Sequence, residues 1–90
     1  MSESTINHIV TKALDEHDGY GGNSTGERLA AALVLNRPDI LKEMGYTIVE
    51  ALERVGPEWG QYLVEAERRV VDRIQEAERL KRKQAAQSTP

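Results

Sequence analysis

From Pro57 to Lys83 the chain meets no helix breaker except Gly60, while Trp59, Tyr62, Leu63, Ala66, Val70, Ile74 and Ala77 recur at helical spacing. At 1.5 Å per residue such a helix is a rod of ~40 Å. A compact domain of 90 residues has a radius of gyration of only about 12 Å. The distal half of the rod must therefore project or find a partner. Trp59, Leu63, Ala66, Val70, Arg73, Ala77 and Leu80 follow alternating steps of four and three, a coiled-coil register interrupted by Arg73 and thinned by two alanines. This pattern predicts self-association, as a homodimer or a higher homo-oligomer, through Val70, Arg73, Ile74, Ala77 and Leu80. Glu65 with Arg69 and Glu78 with Arg82 stand in the favourable i, i+4 order, which also supports an exposed single helix. Residues 85–90, polar and unpatterned, read as a frayed end.

The rest of the chain is punctuated into short helices. Ile6, Ile9, Val10, Ala13 and Leu14 form an amphipathic stripe, with Ser4 or Thr5 as its cap and Gly19 as its stop. Leu29 to Leu35 is almost continuously apolar and rich in helix formers, which predicts a buried central helix. Pro38 at a first helical position and Gly45 beyond the last frame a third helix. Thr47 and Glu50 then form a capping box ahead of Ile48, Ala51, Leu52 and Val55, and Gly56 ends that helix. The fold predicted is all-α, with four to five helices, the short ones packed on the long C-terminal helix. Residues 1–84 form a single helical domain, with the long helix at about 57–83.

Composition narrows the chemistry. With no cysteine, thiolate metal sites, disulfides and cysteine nucleophiles are excluded. No apolar run approaches the roughly 20 residues that span a bilayer. The N-terminal segment lacks the basic start and apolar stretch of a signal peptide, so the expected location is the cytoplasm. The net charge of -3 is uneven: residues 1–64 carry five Lys or Arg against ten acids, and residues 65–90 seven against five. An acidic body repels phosphate backbones, which argues against nucleic acid as the main partner. Four aromatic residues, Tyr20, Tyr46, Trp59 and Tyr62, are too few for a base-stacking platform.

The segment HDGYGGNSTGER, residues 17–28, holds four of the seven glycines and invites a phosphate-cradle reading. A P-loop needs lysine after its last glycine, but Gly26 is followed by Glu27, and the dinucleotide spacing is also missed. A capping box fits instead, Ser24 receiving the Glu27 amide and Glu27 reaching back. The loop is thus expected to be a connector, with Tyr20 packing back on the core. The competing reading is a small-ligand or nucleotide site in which Tyr20, Ser24, Thr25 and Arg28 close on an anion. Asp15 to Asp18 read as a solvated helix end, and His8 and His17 lie on opposite faces, so no metal is predicted. No serine sits in a nucleophile elbow, no paired carboxylates face a predicted cleft, and no catalytic residue or cofactor is assigned. The cations of RLKRK, residues 79–83, are expected to complement the helix dipole; DNA binding through this basic tail is the weakest alternative.

STGERLAAALVLNRPDIL and GYTIVEALERVGPEW, together roughly a third of the chain, resemble small uncharacterised helical proteins of tailed bacteriophages and prophages. The resemblance carries no catalytic motif. It implies a class: short, acidic, cysteine-free proteins that act by binding, occluding a host enzyme, defence complex or transcription factor inside the bacterial cell. The function expected is therefore a non-catalytic helical protein-binding module, an inhibitor of a host protein.

Overall fold

The computed structural model describes residues 2–88 of the chain, with the side chains of residues 3–85. They form six helices and, among these residues, no strand: α1 (Ser2–His17), α2 (Thr25–Val34), α3 (Pro38–Met44), α4 (Ile48–Val55), α5 (Pro57–Gly60) and α6 (Leu63–Ser88).

The all-α architecture agrees with the pattern of the sequence, while the helix count exceeds it because the predicted helix at 57–83 is two. Gly60 closes a single turn opened by Pro57. The Gln61 side chain donates to the Glu58 carbonyl, Tyr62 donates to Trp59 at 2.9 Å in a tight turn, and α6 begins with Ala66 donating to Tyr62. A glycine lowers helix stability by about 1 kcal/mol relative to alanine. Burial of Trp59, Tyr62 and Leu63 against one core cluster holds the chain in the turn. At its other end α6 continues to Ser88. Of the frayed end expected at 85–90, residues 85–88 belong to α6, and residues 89–90 lie outside the described residues.

The helix ends are explained by local chemistry. Ser24 and Thr47 form complete capping boxes with Glu27 and Glu50, each hydroxyl accepting from the amide three residues on while the carboxylate accepts from the cap amide. At the end of α2 the chain turns through Asn36 at φ 55°, and Arg37 donates back to the Ala32 carbonyl. Asparagine tolerates this left-handed region better than most side chains. Gly45 repeats the device after α3, at φ 82°, with Tyr46 donating to Leu41. Ser4 and Thr5 are not caps; α1 already begins at Ser2.

Helix α2 is the centre of the molecule, as its continuous apolar run predicts. Ala31 and Val34 face one buried cluster, with Ile6, Ile9, Val10 and Ala13 of α1 and Ala66 and Val70 of α6. Leu29 and Ala32 face a second, with Ile40, Leu41 and Ala51 of α3 and α4. A helix flanked by two cores has no polar face to spare, and three consecutive buried alanines let neighbours approach on both sides. Arg69 ties α6 to α1 through a two-pronged contact with Glu3 and a 3.2 Å bond to Asn7. Beyond Ile74 every α6 residue with a described side chain is exposed. The radius of gyration is 14.8 Å and the long dimension 52 Å, above the roughly 12 Å expected of a compact chain. The distal rod projects.

Candidate functional site

The projecting rod does not present the face that the heptad pattern selects. Val70 is 1% exposed and belongs to the core with α1 and α2, and Ile74 packs against the same cluster. The apolar stripe read as a self-association seam is thus largely consumed within the protomer. Periodicity identifies a stripe that must be covered, but not whose surface covers it. Arg73, Ala77 and Leu80 stay exposed, and Leu80, 53% exposed, is the one large apolar side chain after Ile74. On a different face of α6, Val64 and Val71 are also exposed.

The largest apolar exposure outside α6 lies on α4. Ala51 and Val55 turn inward to the second cluster, and Ile48 and Leu52 flank this inward edge at i, i+4. Val49 continues the surface outward and is 72% exposed. Val49 lies off the stripe that packing requires. Its position beside two further exposed apolar residues makes a patch where a solvated helix would carry charge. Ile48 also forms one wall of a groove of about 160 Å³ whose other walls are Ala32, Leu33, Asn36, Arg37, Pro38 and Leu41. The Arg37 guanidinium at the rim is held bidentately by Asp39, at 2.9 and 2.7 Å, and Asp39's carboxyl is lowered by this bond. Glu53, on the outer side of α4, pairs with no cation among the described residues.

The glycine loop is organised by its own side chains. Ser24 is committed to the α2 cap, and the Glu16 carboxylate lies 3.4 Å from Arg28, with Glu43 at 3.9 Å. Asn23 donates to the Lys12 carbonyl at 3.1 Å. The cation and the hydroxyl of the anion-binding reading thus have internal partners, and Thr25, exposed, opens α2. Tyr20 departs from expectation: at 67% exposure it does not pack on the core, because the backbone around it turns through Gly19 at φ 82° and Gly22 at φ 98° without bringing the ring back.

A second cleft, of about 260 Å³, opens at the N-terminus of α2 between Ser24, Gly26, Glu27, Arg54, Val55 and Trp59. Behind it His8 Nε2 lies 2.9 Å from Glu27 Oε2, and the His8 ring meets Trp59 edge-on at a centroid distance of 5.5 Å. The Ser24 amide is the main cause of a lowered Glu27 pKa, with a further contribution from His8. This constellation joins α1, α2 and α5, and sequence spacing carries no signal of it, since 19 residues separate His8 from Glu27. No nucleophile adjoins the pair among the described residues, so its geometry is that of a tie between helices.

The cations of residues 79–83 also differ from expectation. Because α6 continues to Ser88, Arg79, Lys81, Arg82 and Lys83 lie more than a turn before its end, and the last turn holds no basic residue. They are too far back for the dipole to explain them, since that effect fades within the last turn. Arg82 approaches Glu78 at 3.9 Å; the other three meet no carboxylate among the described residues. Among the described residues no group of three or more metal-ligating side chains occurs and no helix is long and apolar enough to cross a membrane. The chain matches no known protein-family model, no curated protein and no solved structure.

Proposed function

We propose that this protein is a non-catalytic helical protein-binding module whose contact surface is the outer side of α4 with the groove beside it. The observation that carries the reading is the run of exposed Ile48, Val49 and Leu52 next to an open apolar groove. Burial of three such side chains stabilises a complex by about 1 kcal/mol or more each, since they are already partly covered. Recognition of an amphipathic helix by a groove uses this arrangement, with one or two apolar anchors and a charged rim. The resemblance of residues 24–41 and 45–59 to small phage proteins is the ground for reading the target as a bacterial host protein and the effect as inhibition. Both stretches contribute to the groove.

The test is capture from bacterial lysate by the wild-type chain and by a Val49→Asp, Leu52→Asp variant, identified by mass spectrometry. The expected result is a partner retained by the wild type and lost by the variant, with helicity by circular dichroism unchanged. Equal capture by both, or none by the wild type, contradicts the reading.

A further inference from the structure

We propose that the projecting end of α6 enters the major groove of B-form duplex DNA, with Lys81 and Lys83 reaching phosphates on its two walls. This contact lies apart from the binding surface on α4 and does not depend on it.

Charge is divided between the two ends of the molecule. The chain beyond Ile74 holds four cations and two acids, whereas the rest holds eight cations against thirteen acids. Of the rod's two acids, Glu78 approaches Arg82 at 3.9 Å and Glu76 lies nearer the body, so residues 79–83 form a band that contains no acid. Arg79, Lys81 and Lys83 are exposed, meet no carboxylate among the described residues, and stand too far from the end of α6 for its dipole to account for them. The acidic body does not cancel this band. Residues 79–83 lie about 8 to 14 Å along the rod from Ile74, at or beyond the roughly 8 Å over which physiological salt screens a charge.

Size and layout select the duplex among polyanions. The fourteen residues of α6 after Ile74 make a rod of ~21 Å with a diameter of about 10–12 Å, and the B-form major groove is about 12 Å wide. At about 100° per residue, Ala77, Leu80 and Gln84 share one uncharged line, and Lys83 and Lys81 stand roughly 80° to its two sides. An uncharged front between cationic flanks matches base edges between two phosphate walls. A bilayer surface requires a broad apolar face, but Leu80 is the one large apolar side chain beyond Ile74. A single strand requires stacking rings, and α6 holds no aromatic residue.

The experiment is fluorescence anisotropy of a labelled mixed-sequence DNA duplex titrated with the full chain. Binding with a Kd of about 10⁻⁵ M at ~50 mM salt is expected, weakening about 40-fold by ~200 mM, as phosphate contacts from Arg79, Lys81 and Lys83 require. The double variant Lys81→Gln, Lys83→Gln loses most of this binding and flattens its salt dependence, with helicity by circular dichroism unchanged. Gln84→Glu, on the uncharged line, weakens binding several-fold, whereas Gln75→Glu, the same charge change on the opposite face of the rod, leaves it nearly unchanged. No binding by the wild type at low salt overturns the inference, as does binding indifferent to the two lysines or equal loss in the Gln84 and Gln75 variants. Equal competition by a single strand of the same sequence, or by phosphatidylserine vesicles at equal charge, overturns it too. Val49→Asp with Leu52→Asp leaves duplex binding intact, and the lysine variants leave capture through α4 intact, so the two readings fail separately.

Discussion

His8 Nε2 stands 2.9 Å from the Glu27 carboxylate whose other oxygen closes the cap of α2 at the Ser24 amide. One side chain thereby fixes the start of the central helix and its angle to α1, while the imidazole edge rests on Trp59 of α5. Replacement of His8 by alanine removes both contacts. The expected cost is about 1 kcal/mol, a fall in Tm of roughly 5 °C for a domain this small. Thermal unfolding followed by the fluorescence of the sole tryptophan checks this; an unchanged Tm refutes the tie.

Both capping boxes should be worth a similar amount. Ser24→Ala and Thr47→Ala each free an amide at a helix start, at a cost of ~1 kcal/mol. Chemical denaturation of the single and double variants is expected to show additive losses, since the two caps serve different helices and share no partner.

Glu27 also predicts the acid limb of stability. Its folded pKa is lowered, chiefly by the Ser24 amide. The carboxylate therefore contributes stability that is fully present above its unfolded value and is lost as pH falls through the lower folded value. Glu3 and Asp39 are lowered in the same direction by Arg69 and Arg37. Stability is expected to decline as pH drops below the ordinary carboxylate range. Glu27→Gln keeps a residue able to complete a capping box but shows a shallower acid decline, measured by denaturation midpoints across pH.

How much of this was readable in advance depends on how local each cause is. The boxes at Ser24 and Thr47 follow from side chains three residues apart, and Pro38 and Gly45 mark a helix by backbone preference alone; all four are legible in the sequence. The turn at Gln61 and Tyr62 is not, because Gly60 merely permits it and packing of Trp59 and Tyr62 on α1 and α2 decides it. Val70 marks the same boundary. Its place in a heptad predicts burial correctly, but α1 supplies the cover. Val49 carried a readable sign, an apolar residue off the inward stripe of its helix. The tie from His8 to Glu27 had none, since chain separation hides it.

The reassignment of α6 faces makes a sharp contrast between neighbours. Val70→Ala should cost about 2 kcal/mol through lost burial and a residual cavity. Val71→Ala, on an exposed face, should stay within roughly 0.5 kcal/mol of wild type. Equal effects in a denaturant titration contradict the placement of Val70 in the core.

The central claim is that α6 leaves its own protomer after Ile74 and that α4 leaves an apolar surface open. Hydrogen exchange resolved along the chain tests both at once. In dilute solution, amides beyond Ile74 are expected to exchange much faster than those around Ala66 and Val70, and α4 should slow when a partner captured through it is bound. Uniform protection along α6 contradicts the account.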